Sequence, residues 1–289
     1  MSEKILVTGA SGQLGHLIIN ALLEKLPASQ IIAGARNTGK AKDLATYGVE
    51  IRKIDYERPE TLETAFAGVE KLLLISSSEI GKRARQHEAV IDAAKKAGIK
   101  LLVYTSVLHC ETSTLGLAEE HRQTERALLA SGIPWVILRN GWYTENYTAS
   151  IPMAVEHGVL LGSANNGQIA SAARKDYAEA AVAVIVSDEQ QAGKIYELAG
   201  DKAYTLTEFA DEVSRQSNKS ILYKDMPEEE YRKILIDAGL PEPVAALLAD
   251  SDAAASKGAL FDDSHTLSKL IKRPTTSYSA TIASALTFN

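Results

Sequence analysis

Three glycines recur at three-residue spacing in "TGASGQLGHLIINALL", where Gly9, Gly12 and Gly15 stand between the apolar run "KILV" and an amphipathic segment. One glycine makes a sharp turn, one lets the main chain approach a pyrophosphate, and one lets a helix pack on its strand. The N-terminus of that helix then presents unpaired N–H groups and a positive dipole end to the anion. A plain tight turn also accounts for three glycines. A strand before them and a helix after them, however, are the context that dinucleotide binding requires.

The end of the second apolar run discriminates between dinucleotides. An acidic residue there bonds the ribose 2′-hydroxyl of NAD, whereas an Arg accommodates the 2′-phosphate of NADP. "AGARNTGK" supplies Arg36, with Lys40 and Lys42 close behind and no Asp or Glu before Asp43. Arg suits a phosphate through bidentate hydrogen bonding, so these residues point to NADPH; the bland alternative is a solvated Arg at a strand end. Asp55 closes the third run and suits an adenine amino group, a helix cap or a turn. Ser76, Ser77 and Ser78 close the fourth. Ligands of doubly wound sheets lie beyond the carboxyl ends of strands, so these serines border the ribose or pyrophosphate of the cofactor or form a simple polar loop.

A missing motif is equally informative. Dehydrogenation of alcohols on such scaffolds normally uses Tyr-x-x-x-Lys, in which Lys lowers the Tyr pKa for proton transfer. In "YTSVLHCETSTLGLAEEHRQTE" Tyr104 is followed four positions on by Leu108, and the next helical segment carries His121 and Glu125 instead. Tyr143 is followed by Tyr147, and Tyr147 by Ile151. The chain therefore holds a dinucleotide without the usual carbonyl-reduction acid.

These residues need a scaffold, and short apolar runs alternate with helical patterns to supply one. Strands are expected at 4–9, 30–36, 49–56, 71–77, 100–106 and 134–140, with helices between them. Alternation of this kind, with continuous apolar strands such as "KLLLIS", predicts a parallel sheet covered by helices on both faces, an α/β Rossmann-type doubly wound fold. After residue 141 the rhythm breaks, and "GWYTENYTASIPMAVEHGVLLGSANNGQIASAARKD" reads as a site-lining segment rich in small and polar residues. A helix at 176–188 and a strand at 194–200 follow, then a helix capped by Thr205 or Thr207 with Glu208 three residues past Thr205. The expected division is a nucleotide-binding domain over 1–142, with about 166–200 returning to it. A smaller mixed α/β lobe, 143–165 and 201–289, is expected to cover the substrate.

Composition narrows the partners. The net charge of −6 argues against bulk electrostatic binding of nucleic acid. One cysteine, Cys110, can form no internal disulfide and reads as a small buried side chain. No stretch has the roughly 18 apolar residues of a membrane span, and no signal peptide is visible. A cytoplasmic protein, monomeric or homodimeric, is expected.

"VTGASGQLG", "ASQIIAGARN", "GVEKLLLISSSE", "YTSVLH", "LRNGWYTENY" and "SKGALFDDS" in this order resemble the NmrA-like branch of the atypical short-chain dehydrogenases, over residues 4 to about 275. Within it the chain is similar to the bacterial quinone reductases, and "ASQII" and "RN" are shared with triphenylmethane dye reductases. The resemblance implies a cofactor held by Gly9, Ala10, Ser11, Gly12, Gln13 and Leu14, by Arg36, by Ser76, Ser77 and Ser78, and by Gly141, Trp142, Tyr143, Thr144, Glu145 and Asn146. It also implies direct hydride transfer from NADPH to a quinone, giving the hydroquinone, with neither flavin nor metal.

Hydroquinone is a better leaving base than an alkoxide, so a dedicated Tyr–Lys acid is less necessary, and water or a weak donor suffices. Positioning and electrostatics then do the work. Asn140, Tyr143, Asn146 and Tyr147 after the sixth strand are the candidate polar groups, with His109 after the fifth, and Asn140, Tyr143 and Asn146 are the ones expected to position the substrate. Trp142 and Tyr143 could stack on a flat substrate, or "GWYTENY" is loop packing with surface polar groups. His121 reads as part of a solvated charged helix face, and His87 and His157 receive no role. Asp262 and Asp263 read as a cap for the helix of "SHTLSKLI" rather than as a carboxylate pair. Three function classes follow: a quinone reductase, a reductase of other flat electron-poor molecules such as dyes, and a dinucleotide-binding redox sensor without turnover.

Overall fold

The computed structural model describes residues 3–287. Its first half alternates strand and helix: β1 (Ile5–Val7), α1 (Gln13–Leu23), β2 (Ile31–Ala35), α2 (Lys42–Ala45), β3 (Glu50–Lys53), α3 (Pro59–Ala65), β4 (Lys71–Leu74), α4 (Arg83–Ala97), β5 (Leu101–Val107), α5 (Ala118–Ser131) and β6 (Trp135–Asn140). The second half contains α6 (Thr144–Thr148), α7 (Ile151–His157), β7 (Val159–Gly162), α8 (Arg174–Ile185), β8 (Lys194–Leu198), α9 (Leu206–Ser217), β9 (Leu222–Asp225), α10 (Glu228–Asp237), α11 (Glu242–Ala255), α12 (Thr266–Ile271) and α13 (Tyr278–Thr287).

Seven strands pair in the order β3-β2-β1-β4-β5-β6-β8. Every residue of β1 and β2 is buried, as a parallel sheet covered on both faces requires. Leu6 pairs with Ile32 on one side and Leu72 on the other, and Val103 pairs with Val136. Phe66, Tyr104, Ile32 and Ile137 share one buried cluster over this sheet. The order reverses between β1 and β4, which is the switch point of a doubly wound fold. The Rossmann-type sheet expected from the sequence is therefore present.

The chain divides into two compact units, one of Met1–Cys110, Glu119–Asn140 and Tyr177–Tyr196, the other of Glu111–Ala118, Gly141–Asp176 and Glu197–Asn289. The returning segment is shorter than 166–200. It is confined to most of α8 and the start of β8, where the Gly193 N–H donates to the Trp135 carbonyl at 2.7 Å.

The stretch after 141, for which the sequence shows only a site-lining composition, has regular structure. It folds into α6, α7 and β7, and β7 pairs in parallel with β9, Val159 opposite Leu222 and Gly162 opposite Asp225. Pro152 lies in the first turn of α7, and Gly158 closes that helix with a left-handed φ of 71°. Each element is too short for its period to stand out among small residues. In contrast, α9 opens on the capping box expected at Thr205: its hydroxyl accepts the Glu208 N–H, and the Glu208 carboxylate accepts the Thr205 N–H at 2.7 Å.

Two expectations need correction. His121 is 4% exposed rather than solvated, because that face of α5 packs inward and its Nδ1 lies 2.6 Å from the Tyr104 hydroxyl. Asp262 and Asp263 do not cap α12. His265 occupies the N-cap without a side-chain bond, and Asp262 instead accepts the Ser264 N–H in the preceding turn.

Candidate active site

In the first unit the glycines close a turn around the start of α1. Gly9 has φ +60°, the Gly12 N–H donates to the Gly9 carbonyl at 2.9 Å, and the Ala10 N–H donates to the Gly34 carbonyl. A Cβ on Gly15 would come within 2.3 Å of the Gly9 oxygen, so only glycine lets the helix start so close to the turn. No side chain caps α1 and no acidic residue occupies its first turn. Gly12 and Gln13 are exposed, Ser11 is half-buried, and Ala10 and Leu14 are buried. This open, uncharged helix end fits a pyrophosphate.

Arg36 follows β2 with its guanidinium exposed and paired with the Glu79 carboxylate. That hydrogen bond and charge raise the Arg36 pKa and lower that of Glu79. The loop after β4 is held from behind. The Ser76 N–H donates to Thr105 Oγ1 at 2.9 Å, the Ser77 N–H to His87 Nε2 at 2.9 Å, and the Ser77 hydroxyl to Gln86 at 2.6 Å. Ser78 is exposed. His87, given no role from the sequence, thus fixes the loop. Asp55 accepts the Glu57 N–H in a turn.

The α5 face where a Tyr–Lys pair would stand is sealed. His121 is bound to Tyr104, and burial holds its pKa well below the usual range. Glu125 takes the Arg139 guanidinium in a bidentate pair, Nη2 to Oε2 at 2.6 Å and Nε to Oε1 at 3.0 Å, and accepts the Ser106 hydroxyl as well. Cys110 is buried, which pushes its thiol up to about 12. At the carboxyl end of β6, Asn140 is 6% exposed and its side-chain oxygen is buried with no hydrogen-bond partner among the described residues. A buried acceptor left without a donor fits a ligand that donates one. His109 is half-buried with φ 51°.

The second unit holds Gly141 to Asn146. Arg174 reaches back over this segment, stacking on Tyr143 at 4.5 Å and donating to the Asn146 side-chain oxygen Oδ1 at 3.3 Å. Glu145 accepts the Arg174 N–H with both oxygens, capping α8. Thr144 is fully buried and bonded to Ser171 at 2.8 Å. The side chains of Thr144 and Glu145 are therefore occupied within the unit, whereas Trp142 and Asn146 line a cavity of about 560 Å³. Met153, Leu160, Ile234 and Leu235 make it apolar, and no Lys or Arg is among its lining residues.

Asp252 also lines the cavity, and nothing in the sequence marked it. It is 2% exposed, and its Oδ1 accepts the Tyr147 hydroxyl at 2.9 Å. Tyr147 is among the polar candidates that the sequence offers after β6, but its partner is not. The pairing spans 105 residues, and "LADSDAAA" carries no local sign of it. Among the described residues no group of three His, Cys, Asp or Glu side chains could hold a metal ion, and no helix is long and apolar enough to cross a membrane.

Comparison with known proteins agrees with this layout. Quinone oxidoreductase 2 of Escherichia coli (strain K12) is 54% identical over 285 residues, 99% of each chain. The crystal structure of the NADPH-dependent quinone oxidoreductase from Escherichia coli, complexed with NADPH, superposes with a TM-score of 0.94, covering 99% of this chain and 100% of that one. The Citrobacter sp. triphenylmethane reductase complexed with NADP(H) is 39% identical at a TM-score of 0.93, covering 98% of this chain and 100% of that one. A profile of the NmrA-like family matches residues 1–279. With the glycine cradle, the sealed α5 face and the doubly wound sheet in place, the chain belongs to the NmrA-like family.

Proposed function

We propose that this protein is an NADPH-dependent quinone oxidoreductase that reduces quinones by two electrons to hydroquinones without flavin. The observation that carries the reading is the full-length likeness to the Escherichia coli quinone oxidoreductase. When bound, NADPH supplies the hydride. The turn from Gly9 to Leu14 and the open end of α1 hold its pyrophosphate, and Arg36 holds the 2′-phosphate. Ser76, Ser77 and Ser78 border its sugar and phosphate groups, with Ser77 contributing backbone because its hydroxyl is taken by Gln86. Asn140 offers its unpartnered oxygen to a donor on the bound ligands. Gly141 to Asn146 contribute backbone together with the Tyr143 and Asn146 side chains, which position the acceptor. The sealed α5 face supports a reaction that needs no alkoxide-forming acid. The buried, lone Cys110 goes with a reducing compartment, the cytoplasm.

A second reading, reduction of cationic triphenylmethane dyes, is favoured by the Citrobacter likeness and by a cavity that holds a buried carboxyl and no Lys or Arg. NADPH oxidation by the flavin-free protein, with and without 1,4-benzoquinone, tests the primary reading. Quinone-dependent turnover is expected. NADPH binding without turnover of any acceptor would leave a sensor.

A further inference from the structure

Asp252 stands out among the groups lining the apolar cavity. It is a buried carboxyl with only hydrogen bonds for company: the Tyr147 hydroxyl on Oδ1, and the Ser163 N–H on Oδ2 at 3.1 Å. No Lys or Arg lines the cavity to balance it. A charge placed in such surroundings is costly, and the group relieves the cost by taking up a proton. Burial raises the Asp252 pKa to about 6, within the range where an acid works best near neutral pH. Burial and the neighbouring carboxylate hold the Tyr147 phenol well above its usual range. Tyr147 therefore does not persist as a phenolate, but it can pass a proton onward while receiving another.

The groups acting on Asp252 come from several elements: Tyr147 from α6, the Ser163 N–H after β7, Tyr223 and Asp225 from β9, Tyr231 from α10, and Tyr204 before α9. Asp225 is the one further charge among them, and it favours the protonated form of Asp252. His157 of α7 lines the same cavity.

We propose that Tyr147 and Asp252 form the proton-delivery pair of quinone reduction, with Tyr147 as the acid that meets the substrate and Asp252 acting through it. The proposal rests on the quinone reading and places the acceptor in this cavity. The quinone gains two electrons and one proton as the hydride of NADPH, which is oxidised to NADP+, leaving a hydroquinone monoanion. The Tyr147 O–H bond breaks as its proton forms the second hydroquinone O–H. With Asp252 protonated the Tyr147–Asp252 contact reverses, the carboxyl O–H donating to the Tyr147 oxygen and leaving the phenol proton to face the substrate; the carboxyl proton then moves to the Tyr147 oxygen, and the resulting carboxylate recovers a proton from water. The sum is NADPH, quinone and one proton in, NADP+ and hydroquinone out.

Turnover of 1,4-benzoquinone with saturating NADPH, followed between about pH 5 and 8 in H2O and D2O, tests the pair. In the wild type kcat is expected to fall as pH rises through about 6 and to show a normal solvent isotope effect. Tyr147→Phe and Asp252→Asn are each expected to lower kcat at least about tenfold, to leave KM within a few-fold, and to abolish both the pH dependence and the isotope effect. Variants that keep the wild-type kcat and pH profile overturn the proposal. If Asp252→Asn fails to fold, Tyr147→Phe and the wild-type profile decide. Crystal violet is the proton-free control, because hydride alone converts its cation to the neutral leuco dye. Equal losses of dye and quinone reduction in Tyr147→Phe would mark a packing role and overturn the relay. A wild-type protein that does not reduce benzoquinone overturns the quinone reading itself, and the relay with it.

Discussion

Arg36 keeps its guanidinium against Glu79, so a 2′-phosphate arriving at the end of β2 must displace a carboxylate. Both partners are accessible to water, the guanidinium side chain being 66% exposed, and the pair is therefore worth little as a stability element. In the proposed cofactor site the pair competes with the ligand's phosphate. Glu79→Gln is expected to tighten NADPH binding severalfold, and Arg36→Ala to weaken it about tenfold or more, with NADH affected little by either change. Fluorescence titration of both nucleotides checks this; equal effects on NADPH and NADH would remove Arg36 from the phosphate site. At this scale the sequence was legible wherever the chemistry is local. Gly9, Gly12 and Gly15 declared themselves by type and spacing, and they fold into the turn that their spacing predicts. His87 and His121 did not, because burial rather than neighbours in sequence decides whether a histidine is a solvated base or a fixed neutral ring.

At the scale of elements, α5 shows how a scaffold loses one chemistry and gains rigidity. The face that would carry a Tyr–Lys pair instead holds the Glu125–Arg139 ion pair, each side chain under 10% exposed. Removing one member takes the bidentate partner from a charge that stays buried. Glu125→Ala is expected to cost about 3–5 kcal/mol in urea unfolding, whereas breaking an exposed pair such as Arg126–Glu119 is expected to change stability little. The strands β1, β2, β4, β5 and β6 and the helix α9 were legible because each carries its own signal: a run of apolar residues, or a capping box at Thr205. The elements α6, α7 and β7 were not. They have 5, 7 and 4 residues, and β7 exists as a strand only because β9, some sixty positions later, lies beside it. Pairing at that separation leaves no mark in the local pattern.

For the whole molecule, buried titratable groups set the response to acid, and they act in opposite directions. His87 accepts the Ser77 N–H on Nε2, so its Nδ1 carries the proton and donates to Thr124. Burial lowers its pKa from 6.5 to about 3, and that of His121 moves the same way. A depressed pKa means that the unfolded chain takes the proton first, so this stability is present above about pH 6.5 and drains as pH falls. Asp252 is the reverse: its raised pKa favours the folded state in acid and is lost as pH rises through about 6. With two histidines against one carboxyl, urea midpoints are expected to fall from pH 7 to 5. His87→Gln should flatten the fall and Asp252→Asn should steepen it. An unchanged slope in His87→Gln would show that the ring is not held neutral. The sequence by itself determined the alternating α/β order and the glycine turn, because helix period, apolar runs and backbone freedom are properties of neighbouring residues. Only the tertiary structure decided that Asp252 meets Tyr147 and that Glu125 meets Arg139. Burial and pairing between distant residues arise from packing, and packing turns an ordinary carboxyl into a proton carrier or a structural anion.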